Sequence, residues 1–470
     1  MANLPARFLR FPSTGNLQHP LCTRGISTSS TRLGNGLVKS KKKQGGDRVL
    51  PRDQYGARVS VVHAYRQNKL KDKVPIKRRF PKPLDYSELD PEFYDDRPVS
   101  LELEDFVPEN VFTAHLGEPL AYTRQALAAF KAFGQPSSSK WNSQAFSQPF
   151  SVVRDSTVKL LTELNVRSQQ VRDQPAPNGL ILHGSSGCGK STLLMQAVSH
   201  CLANGWIVLY VPRGIDLVTS SSRYEYDART KLFNLSAASH AMIKSMLAVN
   251  GGALKKIQAD QDIVYGDKEQ VFEAGGDLAK FAEAALQDDT ANHAAALDAL
   301  VGQLGRQTEI PVLLAADDYQ CLYVQSMYRD QQYIPIWAYH LSLPRLLLEY
   351  AIGTRPLKRG LVLGALGPLH TNFAAPVPLR EAIGAEISWK AAVDGPFAVR
   401  HQAHVHYSQG LQGFAMPAQL EVEAAKGWYH MMTRGGVLHT RPSDDFFLAK
   451  YTEASGNARE FGRAMLSTLQ

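Results

Sequence analysis

"GSSGCGKST", residues 184 to 192, is the stretch of this chain that decides its fold. Gly184, four further residues, and then Gly189, Lys190 and Ser191 match the P-loop template at every fixed position. The glycines allow backbone N–H groups to turn toward phosphate oxygens, and the lysine would reach the terminal phosphates. The stretch therefore predicts a loop that binds nucleotide phosphates through Gly184, Ser185, Ser186, Gly187, Cys188, Gly189, Lys190, Ser191 and Thr192.

The residues on either side support this interpretation. "GLILH" (179–183) is apolar and suits a buried strand, and "STLLMQAVSHCL" (191–202) has apolar residues at helical spacing. Strand, glycine loop and helix form the order that a P-loop needs, because the helix N-terminus adds partial positive charge to the phosphate site. The Ser191 hydroxyl would then bind Mg²⁺. A Gly/Ser surface turn that mimics the motif is the alternative.

A second signal is "IPVLLAADDYQCLY" (310–323). An apolar run ends in two acidic residues, which is the pattern of a Walker B motif. We expect Asp317 to bind the metal and Asp318 to act as the catalytic residue that orients water. This pattern does not by itself predict nucleotide hydrolysis. Many hydrolysing AAA+ proteins have Glu as the second of the two acidic residues, and the Asp found here is one methylene shorter. An aspartate pair that caps a helix is the alternative.

Further apolar runs, "GWIVLYVP" (205–212) and "GLVLGALG" (360–367), read as additional strands. Strands alternating with helices predict an α/β fold with a parallel sheet. From about residue 224 to residue 306 helical patterns dominate and would decorate the sheet. The C-terminal residues predict helices that form a small lid, in which Arg459 would begin a helix and reach toward phosphate, or would be an ordinary exposed arginine.

Charge divides the chain into a basic arm and a mildly acidic body. Residues 1–83 hold 19 basic and three acidic residues, whereas the remaining 387 hold 33 and 41. Residues 1–46 lack Asp and Glu, contain Arg7, Arg10, Arg24 and Arg32, and are rich in Ser and Thr, which is typical of a mitochondrial transit peptide. From Lys39 to Pro83 the basic residues alternate with Tyr and Phe, which favours salt-dependent binding to nucleic acid. A solvated, disordered tail is the alternative for both segments.

Composition excludes several classes of protein. No apolar run approaches the roughly 18 residues of a membrane span, so no transmembrane segment is expected. The four cysteines, at positions 22, 188, 201 and 321, lack metal-ligand spacing. A disulfide framework or a zinc site is therefore not expected, and a reducing compartment fits.

The P-loop, "WIVLYVPRGIDLV", "VLLAADDYQ" and "SGNAREF" together resemble the family of mitochondrial small-subunit ribosomal proteins also known as death-associated protein three, in a fungal-type version. The resemblance covers roughly residues 145 to 470. It implies an AAA+/STAND-like P-loop NTPase fold in the matrix, in the head of the small ribosomal subunit, against rRNA and neighbouring ribosomal proteins. The family is described as GTP-binding. Because the guanine-reading Asn-Lys-x-Asp motif is missing, the residues leave GTP/GDP and ATP/ADP, with Mg²⁺, both open.

These observations predict four segments: a transit peptide and basic tail (1–46), an extended basic arm and linker (47–150), a P-loop nucleotide-binding α/β domain with a helical insertion (151–375) and a helical lid (376–470). The predicted function is that of a structural ribosomal protein in mitochondrial translation that keeps a purine nucleotide as a stabilising ligand. The alternative is an active ATPase or GTPase that acts as a remodelling or signalling switch. Only Asp318 and Arg459 resemble hydrolytic parts, so we expect no enzyme, or at most a weak P-loop NTPase. A cell-death adaptor rests on the family name alone.

Overall fold

The computed structural model describes residues 102–111, 115–136, 139–140, 146, 148–265, 270–287, 292–367, 372–385, 399–438 and 442–466. All of them belong to the compact unit Leu89–Gln470. The predictions of a transit peptide in residues 1–46 and of a basic segment from Lys39 to Pro83 lie outside the described residues.

A five-stranded parallel sheet forms the centre of this unit. Its strands, in spatial order, are β13 (Gln412–Ala415), β3 (Gly179–His183), β12 (Gly360–Ala365), β9 (Val312–Ala316) and β4 (Ile207–Val211). All four neighbouring pairs are parallel. The carboxyl ends of the strands therefore meet at one edge, where ligands of open α/β sheets bind.

Helices cover the sheet on both faces. They are α1 (Arg124–Phe133), α2 (Asp155–Gln169), α3 (Lys190–Ala203), α4 (Ser236–Leu254), α5 (Leu278–Gln287), α6 (His293–Arg306), α7 (Ser342–Ala351), α8 (Val377–Ala382), α9 (Gln402–Ser408), α10 (Val422–Arg434), α11 (Asp444–Glu453) and α12 (Ala458–Leu466). The predicted α/β class with a helix-flanked parallel sheet is confirmed. Within the described residues, no helix has both the length and the apolar character that a bilayer crossing requires.

Alternation along the strands separates two hydrophobic cores. Ile181 of β3 and Leu314 of β9 pack into one core, whereas their neighbours Leu182 and Leu313 pack into the other. Because both faces are buried, these strands are continuous apolar runs, which is why the sequence reveals them. A third core joins α10, α11 and α12 around Phe461 and includes Phe150, the first residue of β2 (Phe150–Val152).

Short antiparallel strand pairs complete the fold. They are β1 (Pro119–Ala121) with β2 (Phe150–Val152), β5 (Glu225–Asp227) with β6 (Leu232–Asn234), β7 (Ile263–Tyr265) with β8 (Gln270–Phe272), and β10 (Gln325–Arg329) with β11 (Pro335–Trp337). Two of them lie between residues 224 and 306, where helical patterns dominate the sequence, because three-residue strands are too short to show a period of two.

The edge strand β13 was not expected from the sequence. Its residues are mostly exposed, and it pairs on only one side, with β3. Residues 376–470, predicted as a helical lid, therefore contribute a strand of the sheet as well as helices. A four-residue edge strand lacks the apolar run by which buried strands are recognised.

Candidate functional site

The predicted phosphate loop connects β3 to α3 at the carboxyl edge of the sheet. Gly184, Gly187 and Gly189 have φ values of 147°, 81° and 104°, which favour glycine. The loop therefore has the tight curvature that its sequence predicts. Helix α3 begins at Lys190 and has no acidic residue in its first turn, so the partial positive charge of its N-terminus is not compensated there.

Lys190 is buried against this loop, with 5% of its surface exposed. Its Nζ donates hydrogen bonds to the carbonyl oxygens of Gly184 (3.0 Å) and Ser185 (2.6 Å). Burial lowers the pKa of Lys190, although the neighbouring Cys188 and Asp317 oppose this shift. A buried ammonium group needs a negative partner, and a phosphate in the loop would supply one.

The two acidic residues follow β9 directly and face the same edge. Asp317 is 4% exposed and accepts a hydrogen bond from the Ser191 hydroxyl. Burial, with a contribution from Asp318, raises the pKa of Asp317 to about 7. A carboxylate beside a hydroxyl group is a ligand pair that suits Mg²⁺. The structure thus brings together Ser191 and Asp317, the two residues predicted to bind the metal.

Asp318 has an unusual backbone conformation. Its φ of 52° is in the left-handed region, which aspartate tolerates better than most residues, and its N–H donates to Asp317 Oδ1 at 2.9 Å. Gln320 joins this turn to Gly367, which follows β12. The Gln320 side-chain amide donates to the carbonyl of Gly367 at 2.7 Å and accepts from the Gly367 N–H at 2.8 Å. The carboxyl ends of β9 and β12 are therefore held together beside Asp318.

C-terminal residues also reach the phosphate loop. Asn457 Nδ2 donates to the carbonyl of Ser186 at 2.7 Å, and the N–H of Arg459 donates to the carbonyl of Gly187 at 3.1 Å. The Arg459 guanidinium lies 3.3 Å from the Ser186 hydroxyl. Arg459, at the start of α12, thus lies at the loop; the sequence left open whether it would reach toward phosphate or be an ordinary exposed arginine.

Sequence reasoning missed Arg154, the residue that joins the loop to the C-terminal helices. Its Nη1 donates to the carbonyl of Cys188 at 2.7 Å, while its Nε contacts Glu421 at 2.7 Å and its Nη2 donates to the carbonyl of Gln419 at 3.3 Å. Arg154 immediately precedes α2, so its sequence context indicated only the start of a helix. Partners more than 260 residues away leave no local signal in the sequence.

Residues from each of these parts, among them Lys190, Ser191, Asp317, Arg154 and Arg459, line a cavity of 480 Å³, within the usual range for small-molecule sites. Five basic side chains face it against two acidic ones: Arg154, Lys190, Arg213, Arg459 and Arg463 against Asp317 and Asp318. Another part of the wall is apolar and aromatic, with Tyr122, Phe130, Phe150, Val152, Leu420 and Trp428. Such a cavity fits a ligand with an anionic end and an apolar, ring-containing end, as in a nucleotide.

Comparison with known proteins places this fold in a family. The family model described as "Mitochondrial ribosomal death-associated protein 3" matches residues 151–464, which span the whole predicted site. A protein of Neurospora crassa named "Small ribosomal subunit protein mS29" is 23% identical over 336 residues, covering 69% of each chain. The protein of the same name from Schizosaccharomyces pombe is 29% identical over 215 residues, covering 44% of each chain. This chain therefore belongs to the mitochondrial ribosomal death-associated protein 3 family, as its motifs predicted.

Proposed function

We propose that this chain is a structural component of the mitochondrial small ribosomal subunit, in the mitochondrial matrix, and that it retains a purine nucleotide with Mg²⁺. The ribosomal role is supported by the family and by the name that the two fungal relatives share. Its partners are then the small-subunit rRNA and neighbouring ribosomal proteins.

The nucleotide is supported by one observation above all: the glycine loop, the buried Lys190 and the Ser191–Asp317 pair face a single cavity. In this proposal residues Gly184 to Thr192 hold the phosphates, and Ser191 and Asp317 hold Mg²⁺, which would neutralise phosphate charge when bound. The family description favours GTP or GDP. The residues that line the cavity leave ATP or ADP open.

A ligand with a structural role fits a site whose loop is hydrogen-bonded to distant parts of the chain. The loop is bonded to Arg154, Asn457 and Arg459, which come from both ends of the described unit. A nucleotide that occupies the loop would therefore stabilise the packing of the C-terminal helices against the sheet. At 100 times its Kd, a bound ligand stabilises the folded state by about 2.7 kcal/mol.

Weak nucleotide hydrolysis is the second candidate. The observation that favours it is the left-handed backbone of Asp318 directly beside the proposed metal ligand, since strained residues cluster at functional sites. Asp318 would orient the attacking water, and Arg459 would contact the phosphates. Steady release of phosphate by the purified chain, lost in Asp318→Asn, would support this candidate; retention of nucleotide without turnover would exclude it.

The substitution Lys190→Ala tests the nucleotide site. We expect it to abolish the rise in melting temperature that nucleotide and Mg²⁺ give the wild-type chain, because the loop loses the cation that faces the phosphates. Lys159→Ala is the matched control, since Lys159 is a lysine of α2 whose side chain is 67% exposed. Thermal unfolding is measured with and without each guanine and adenine nucleotide. A wild-type chain whose melting temperature no nucleotide changes would contradict the proposal.

A further inference from the structure

Arg213 has no role in the predictions from sequence, yet it lines the same cavity as the phosphate loop and the acidic pair. The strand register places it there: Val211, the last residue of β4, pairs with Ala316, the last residue of β9. The pairing continues beyond the strands, because the N–H of Asp317 donates to the carbonyl of Val211 at 2.9 Å. Two residues beyond these strand ends, Arg213 in one segment runs alongside Asp318 in the other.

Gly214 fixes the backbone at this point. Its N–H donates to the carbonyl of Asp317 at 3.0 Å, and a Cβ atom on Gly214 would lie 2.6 Å from that carbonyl oxygen and 3.0 Å from the carbonyl oxygen of Asp318. Only glycine allows the segments that follow β4 and β9 to approach each other this closely. The attachment point of the Arg213 side chain is therefore defined by the same contacts that position the two acidic residues.

The present partner of the Arg213 guanidinium is a weak one. Its Nη2 lies 3.2 Å from Asp216 Oδ1, and the two side chains are 40% and 53% exposed. Exposed pairs of this kind contribute little to stability, so a better anion can displace Asp216. A phosphate is such an anion, because a guanidinium can donate two parallel hydrogen bonds to it.

The other basic side chains of the cavity wall have different contacts. Arg463 pairs with Glu460 within α12, and the remaining three lie at the phosphate loop. Lys190 contacts the loop carbonyls, Arg154 contacts Glu421 and the Cys188 carbonyl, and Arg459 lies against Ser186. These residues surround the phosphate loop itself. Arg213 instead follows β4, in the segment that contacts the acidic pair, and would supply a positive charge to a terminal phosphate bound in this cavity.

On the basis of the proposed nucleotide site, we propose that Arg213 recognises the terminal phosphate and gives the site a preference for a nucleoside triphosphate over a diphosphate. In the triphosphate state Arg213 binds the phosphate, and in the diphosphate state it returns to Asp216.

Calorimetric titration of the purified full-length chain tests this proposal. GTP, GDP, ATP and ADP, each with Mg²⁺, are titrated into wild type, Arg213→Ala, Asp216→Asn and Arg223→Ala. Arg213→Ala should weaken triphosphate binding by about 10- to 100-fold and leave diphosphate binding nearly unchanged, as expected for one lost charged hydrogen-bonding contact. Asp216→Asn should strengthen triphosphate binding. Arg223→Ala, an exposed arginine absent from the cavity wall, should behave as wild type.

The outcomes separate the two proposals. Equal losses for triphosphate and diphosphate in Arg213→Ala, or no loss for either, would overturn the role of Arg213 while leaving the nucleotide site intact. No binding of any nucleotide to the wild-type chain would overturn the site itself, and the role of Arg213 with it. Circular dichroism of each variant verifies that it folds, so a loss of binding is assigned to the changed side chain.

Discussion

At the scale of single residues, Gly187 shows how tightly the phosphate loop fits the C-terminal helices. Its φ is 81°, and a Cβ atom there would lie 2.9 Å from the Cβ of Arg459 and would also collide with Asn457. Asn457 Oδ1 accepts the N–H of Arg459 at 3.1 Å and that of Glu460 at 3.3 Å, so it caps α12. A methyl group at position 187 would therefore push this cap away from the loop.

Gly187→Ala is compared with Gly205→Ala to isolate that contact. Gly205 has a similar φ of 72° but nothing within 4 Å of an added Cβ, so both variants share the backbone strain and only the first has the collision. We expect Gly187→Ala to lower the free energy of unfolding by roughly 1 to 3 kcal/mol more than Gly205→Ala. Urea denaturation measures the difference. Equal destabilisation of the two variants would show that the loop does not pack against α12 in this way.

The same scale shows what the sequence predicts about the site and what it does not. The loop, Ser191, Asp317, Asp318 and Arg459 belong to local motifs, and the structure gathers them around one cavity. The motifs are visible because phosphate and metal binding require fixed residue types at fixed spacing. Arg154 and Arg213 were missed, since their positions follow from strand register and from contacts between distant segments.

At the scale of elements, His200 makes the packing of α3 against α2 sensitive to pH. It is 2% exposed, and its Nε2 lies 2.9 Å from Asn165 Oδ1, an acceptor, so the neutral ring donates from Nε2. Burial lowers the pKa of His200 from 6.5 to about 4. Because the folded pKa is below the unfolded one, the stabilisation is complete above pH 6.5 and is lost as the pH falls toward 4.

His200→Gln should remove this component of the pH dependence. The pKa shift of His200 corresponds to about 3 kcal/mol of stability between the two pH limits. From about pH 7 to about pH 4.5 the free energy of unfolding should therefore fall less in the variant than in wild type, by at most about 3 kcal/mol. His406→Gln, at an exposed histidine of α9, is the control. Urea unfolding at several pH values provides the comparison. Identical pH profiles for His200→Gln and wild type would refute the account of this interface.

The more completely a strand is buried, the more readily the sequence predicts it. β3, β4, β9 and β12 lie inside the sheet or are covered on both faces, and their apolar runs reveal them. The short antiparallel strands and β13 were missed because strands of three to five residues are too short to show a distinctive pattern. Their formation depends on a neighbouring strand, which a single stretch of sequence does not show.

At the scale of the whole molecule, the chain combines an acidic body, which contains the proposed nucleotide site, with a basic N-terminal arm. Residues 47–83, outside the described residues, contain 11 basic and three acidic residues. Contact with rRNA phosphates would release counterions and make their contribution salt-dependent. In this account a chain without residues 47–83 leaves the small subunit at lower salt than the full chain, and equal retention would contradict a role of the arm in RNA binding.

We propose above that this ribosomal protein retains a nucleotide without hydrolysing it. The most direct test is the nucleotide content of mitochondrial small subunits sedimented through a high-salt gradient, determined by acid extraction and chromatography against the amount of this chain. We expect the chain to remain with the small-subunit rRNA. We also expect one purine nucleotide per copy of the chain, which persists during incubation and is lost in Lys190→Ala. Release of the chain at high salt, or small subunits that retain the chain but give no nucleotide difference between wild type and Lys190→Ala, would contradict it.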